Sequence, residues 1–261
     1  MSASGASFHL DSIRLAFNGK DALAGVEFEI QPGELVAFVG PSGAGKTSVL
    51  RLLNGALRPS SGSVSVDGRR VASLTPAELK SLRASIGFVH QDLSLVPNLR
   101  VAQNVLAGRL GRMGFWESLR TMVRPQRHEL EEVHTILERV GIPEKIFQRT
   151  DQLSGGQMQR AAIARALYQD VRALLVDEPV SSLDPARARD TIELLTTICR
   201  QEELTLVASM HDLGLAREFF PRLIGLRGGK VQFDRRPDQI EQKQFDNLYE
   251  LESEEMLADG C

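Results

Sequence analysis

Three short runs of residues carry the chemistry in this chain. The first is Gly40-Pro-Ser-Gly-Ala-Gly-Lys-Thr47. Its glycines, Gly40, Gly43 and Gly45, let backbone N–H groups turn inward past Pro41, Ser42 and Ala44, and a helix starting there aims its positive end at the same point. Such a loop cradles phosphates. The Lys46 ammonium reaches the β- and γ-phosphates of a nucleoside triphosphate, the Thr47 hydroxyl ligates Mg²⁺, and Ser48 is the last of the ATP-binding run.

The second run is Leu174-Leu-Val-Asp-Glu178, an apolar strand that ends in two carboxylates. Ligands of doubly wound sheets collect at the C-terminal strand edge. There Asp177 suits the metal's outer shell, and Glu178 polarises the attacking water. His211 follows another apolar strand and shares that edge, within reach of a γ-phosphate. Gln91, just after Ile86–Val89, offers an amide oxygen to the metal or the water. The third run is Leu153-Ser-Gly-Gly-Gln157. Ser154 and Gln157 have capping-box spacing, while Gly155 and Gly156 leave bare N–H groups at a positive helix end, a second place for an anion.

The elements that must position these runs are readable from periodicity. Residues 9–17 alternate apolar and polar, and with Val26–Ile30 and Ser63–Val66 they predict an antiparallel sheet broken by Asn18-Gly19, Pro32-Gly33 and Asp67-Gly68 turns. Glu34–Val39 is continuously apolar and runs into the glycine loop. The following helix ends near Asn54-Gly55, and Thr75-Pro-Ala-Glu78 opens another. Residues 91–152 read as helical, with Leu130, Val133, Ile136, Leu137 and Val140 on one face of 128–140. Strands at 172–176, 204–209 and 222–226 then alternate with helices at 156–168 and 185–201. That alternation indicates a parallel sheet covered on both faces. The last stretch is polar and acidic and reads as a solvated helix or tail.

Composition narrows the class. The 261 residues are 42% hydrophobic and 25% charged, with a net charge of −3. Those values suit a soluble globular protein and disfavour a general nucleic-acid binder. No apolar run approaches the ~20 residues of a membrane span. The first residues lack secretory-signal character, and Cys199 and Cys261 lack metal-ligand spacing, so a reducing, cytosolic location is expected. His9, His90, His128 and His134 read as structural hydrogen-bonders.

In order and spacing these motifs resemble those of the ATP-binding cassette (ABC) ATPases, over residues 8–235. Gly40–Thr47 matches that family's phosphate loop, Gln91 its Q-loop, Leu153–Gln157 its signature, Ser181–Asp184 its D-loop and His211 its switch histidine. The resemblance implies an α/β fold: a P-loop NTPase core with a mainly parallel sheet, an N-terminal antiparallel β subdomain and an inserted α-helical lobe at about 92–158. A polar extension, 236–261, follows. It further implies that two copies pair head to tail, so that Ser154, Gly155, Gly156 and Gln157 serve the partner's ATP, and that Phe17, otherwise a core residue, stacks on adenine.

Phe88-Val-His-Gln-Asp-Leu-Ser-Leu-Val-Pro97, the segment from Asn104 to Ser118 and Met210–Arg217 look like the ATPase subunit of phosphonate importers. That likeness implies permease partners, a solute-binding receptor, and a place at the cytoplasmic face of the inner membrane. Phe115 and Trp116 either pack the helical lobe or face a partner. The rivals are an importer subunit for phosphite, phosphate or another small solute, and a soluble cassette ATPase, for which neither a long coiled-coil insertion nor a second cassette is visible. A binding module without turnover is disfavoured by the full set Lys46, Asp177, Glu178 and His211.

Overall fold

A computed structural model describes residues 5–180 and 184–249. The acidic run at 250–255 and residues 181–183 of the expected D-loop lie outside the described residues. The alternating N-terminal stretch forms a hairpin of β1 (Phe8–Phe17) and β2 (Lys20–Ile30). The apolar run becomes β3 (Leu35–Val39), which leads through the glycine loop into α1 (Lys46–Leu53). With β4 (Ser61–Val66) and the short β5 (Arg69–Arg70), the first sheet has the antiparallel order β2-β1-β4-β5.

α2 (Pro76–Ala84) starts with the expected capping box, in which the Thr75 N–H donates to the Glu78 carboxylate at 2.9 Å. After β6 (Ile86–Val89) come α3 (Val101–Leu106), α4 (Phe115–Val123), α5 (Arg127–Arg139) and α6 (Gly155–Leu167). The chain then alternates through β7 (Ala173–Asp177), α7 (Pro185–Gln201), β8 (Thr205–Met210), α8 (Leu213–Phe219) and β9 (Arg222–Arg227). It closes with β10 (Lys230–Arg235) and α9 (Gln242–Tyr249).

The second sheet has the order β10-β9-β3-β8-β7-β6, all parallel except the β10 edge. Its continuous apolar strands are explained by burial on both faces. Leu35, Ala37 and Val39 of β3 enter the core beneath the helices, whereas Val36 and Phe38 enter the core shared with the N-terminal sheet. β7 divides the same way, Leu174 and Val176 against Ala173 and Leu175. A single-residue slip in either strand would exchange the two cores.

The segment around Gly108–Arg112 ties α6 to α2. Gly108 lies so close to α6 that a β-carbon there would meet the Arg165 carbonyl oxygen at 2.3 Å. Arg109 stacks its guanidinium 4.1 Å from the Tyr168 ring centroid, and Arg112 donates to the Ala84 carbonyl at 2.6 Å.

One sequence alternative is narrowed and one expectation changes. Of the two readings of Phe115 and Trp116, packing into the lobe is removed: they are 74% and 78% exposed, their rings meeting edge to face at 5.3 Å. The solvated reading of the C-terminal segment fails for 242–249. Phe245 and Leu248, three residues apart on α9, are buried, and the Phe245 ring meets Phe233 of β10 at 5.6 Å. Spacing on one helix face outweighed the polar composition of this stretch.

Candidate active site

The loop between β3 and α1 lines a cleft of about 200 Å³ with Ser42, Gly43, Ala44, Gly45, Lys46, Thr47 and Ser48, joined by Ala22 and Glu178. Two glycines are demanded by the backbone. Gly45, at φ 102°, caps α1, and a β-carbon there would strike the Leu23 side chain at 2.6 Å. Gly40 has φ 145° and lies so close to β9 that a β-carbon would meet the Leu226 carbonyl oxygen at 2.0 Å. Both conformations belong to glycine.

Lys46 is buried, and its ammonium donates to the Gly40 carbonyl at 2.6 Å and the Pro41 carbonyl at 2.9 Å. The charge is thus folded onto its own loop.

The parallel register of β7 and β8 sets Asp177 beside Ser209. Asp177 is buried; its Oδ1 accepts from the Thr47 hydroxyl at 3.0 Å and the Ser209 hydroxyl at 2.7 Å. Glu178 follows at φ 48°, a region costly for a residue with a side chain. Its N–H donates to Ser209 Oγ at 2.9 Å, which offsets part of that cost. The bend turns the Glu178 carboxylate out of the strand and into the cleft. Gln91 Nε2 donates to one of its oxygens at 2.8 Å, and His211 Nε2 lies 2.5 Å from the other. Gln91 therefore engages through its amide nitrogen here, where the sequence pointed to its oxygen.

Lys46, Thr47, Asp177, Glu178, Gln91 and His211 are brought together. The donor set fits Mg²⁺: a hydroxyl and a carboxylate 3.0 Å apart are hard oxygen ligands, and this ion takes few protein ligands, completing its shell with water and phosphate. Phe17 is 48% exposed at the tip of the hairpin whose Ala22 lines the cleft, so its ring is open to a ligand.

Ser154, Gly155, Gly156 and Gln157 are not brought to this cleft. They open α6 as a capping box, with the Ser154 N–H donating to Gln157 Oε1 at 3.0 Å, and Ser154 and Gly155 are exposed.

Sequence reasoning missed Ser209, although a hydroxyl at the C-terminal end of an otherwise apolar strand was the signal. It also missed Tyr249, whose hydroxyl accepts from the Gly40 N–H at 3.0 Å.

The profile of the ABC transporter family matches residues 23–181. The chain is 42% identical over 241 residues to the phosphonates import ATP-binding protein PhnC of Wolinella succinogenes, covering 92% of this chain and 87% of that protein. It is 45% identical over 244 residues to phosphonates import ATP-binding protein PhnC 2 of Pseudomonas aeruginosa, covering 93% and 91%. The fold superimposes with a TM-score of 0.76 on the dimeric ATP-binding cassette MJ0796 in a post-hydrolysis state with ADP and Pi, at 29% identity over 88% of this chain and 98% of that one. CbiO1 of Clostridium perfringens, part of the transporter complex cbiONQ, gives 0.78 at 26% identity, covering 92% of each chain. A nucleotide cleft on a two-sheet scaffold, this profile and these relatives agree: the chain belongs to the ABC transporter family, as an ATP-binding cassette.

Proposed function

We propose that this chain is the ATP-hydrolysing subunit of a phosphonate importer, acting as a head-to-tail dimer beneath a membrane permease. The observation that carries the catalytic part is the Glu178 carboxylate, turned into the phosphate cleft and held between Gln91 and His211. The names of the relatives carry the solute. The ATPase domain spans 8–235 and includes a helical lobe at 92–158, and 236–261 is an extension.

Binding of ATP draws the Lys46 ammonium from the Gly40 and Pro41 carbonyls onto the β- and γ-phosphates, with Gly40–Ser48 enclosing them and Phe17 covering the adenine. Thr47, Asp177 and Gln91 would hold Mg²⁺, which when bound would neutralise phosphate charge. Glu178 orients the attacking water and takes its proton, and His211 steadies the Glu178 carboxylate and the γ-phosphate. Ser154–Gln157 open α6 and do not line their own cleft. Exposed at a positive helix end, they suit the γ-phosphate on a second copy. Closure of the pair switches the permease, hydrolysis resets it, and a receptor delivers the solute from the far side. Among the described residues no helix is long and apolar enough to cross a membrane. The import role named for the relatives supports a membrane passage in a permease partner, with this chain at the cytoplasmic face.

Permease helices have a groove of about 640 Å³, lined among others by Phe88, His90, Ser94, Gly108 and Arg165, to rest in. Burial lowers the pKa of His90, which favours the neutral ring in that groove. Beyond the groove, α4 exposes Phe115, Trp116, Leu119 and Val123. Changing both Phe115→Ser and Trp116→Ser should weaken capture of the permease about thirtyfold, the scale of an aromatic anchor, and leave ATP affinity of the isolated chain unaltered. Undiminished capture would remove α4 from the interface.

The solute is tested by reconstituting the chain with its permease and receptor in vesicles and measuring ATP consumption. A phosphonate should stimulate it more than phosphate, phosphite or an amino acid. Stimulation by another solute alone would end the phosphonate reading and leave the ATPase intact.

A further inference from the structure

We propose that Tyr249 is a positioning residue for the phosphate loop, which makes α9 a working part of the nucleotide site; this rests on Gly40–Ser48 being the nucleotide cradle. The ladder of β3 ends where Val39 pairs with Met210 on β8 and Gly225 on β9. Gly40 comes next, buried and beyond the ladder. A buried backbone donor needs a partner. The Tyr249 hydroxyl, 209 residues along the chain, accepts that N–H at 3.0 Å.

This bond acts on one hinge. The Gly40 N–H belongs to the peptide joining Val39 to Gly40, and the Gly40 carbonyl that holds Lys46 belongs to the next peptide. Between them lies the Gly40 φ of 145°, a torsion that glycine leaves loosely determined. Fixing the first peptide plane from outside removes one of the freedoms that decide where the carbonyl points, and so narrows the resting place of the Lys46 ammonium. A loop held this way enters the bound state with less freedom to lose.

α9 is anchored well enough to act as the fixed end. Phe245 and Leu248 are buried, the Arg217 guanidinium lies 5.1 Å from the Phe245 ring centroid, and Arg227 donates to the Asn247 carbonyl.

The test is Tyr249→Phe in the full chain, which keeps the ring and removes the acceptor. Losing one partly buried hydrogen bond should raise the Kd for ATP, measured by calorimetry, about fivefold. KM should rise with it, kcat should stay within about twofold, and the melting temperature should stay within about 3 °C. Phe245→Ala, which loosens the helix, should instead lower the melting temperature along with the affinity. Unchanged Kd and KM in Tyr249→Phe would overturn the proposal, as would a fall in kcat alone. Lys46→Ala, titrated alongside, separates the two readings. If it loses ATP while Tyr249→Phe does not, only the role of Tyr249 falls; if it also binds ATP normally, the cradle itself is misplaced.

Discussion

Glu178→Gln should bind ATP, hydrolyse it at least about a hundredfold more slowly and accumulate as a closed dimer, on the scale of a lost general base. The substitution removes basicity with little change of shape. The new amide oxygen can still accept from Gln91 Nε2, and its NH₂ can donate to His211 Nε2 once the imidazole carries its proton on the other nitrogen. The Glu178 N–H to Ser209 bond is a backbone contact and survives. Binding and closure therefore proceed while the water is no longer deprotonated. Single-turnover phosphate release measures the chemistry, and size-exclusion chromatography with and without ATP measures the dimer. Full-speed turnover in this variant would remove Glu178 from the role of base.

Lys46→Ala should weaken ATP binding roughly ten- to hundredfold, the scale of a lost charge-assisted hydrogen bond, and abolish measurable turnover. Lys46 is the buried ammonium of the loop, and in this structure it already bridges two backbone carbonyls. Its removal costs the phosphates their nearest cation and releases the Gly40 and Pro41 carbonyls together. Calorimetric titration of ATP measures the first effect and a phosphate-release assay the second. An unchanged ATP isotherm would contradict the assignment of the loop.

Most strands and helices were legible in the sequence because the signal is local. The capping box of α2 needs only Thr75 and Glu78, and the stretch 185–201 is bounded by Asp184-Pro185 at one end. The two-faced burial of β3 follows from an uninterrupted apolar run. The C-terminal end was read less well. Its charge density masked Phe245 and Leu248, and β10 added an antiparallel edge beyond the expected parallel set.

For the site, residue type and spacing named Lys46, Thr47, Asp177, Glu178, Gln91, His211 and the Ser154–Gln157 cap, because phosphate chemistry restricts which side chains can appear after a glycine loop or a strand end. Only the tertiary structure decided how they meet. It set Ser209 beneath Asp177, gave Gln91 to Glu178 through nitrogen rather than oxygen, and brought Tyr249 to Gly40. Those contacts join strands and helices that are distant in sequence, and sheet order and helix packing determine them, so no local pattern of residues records them.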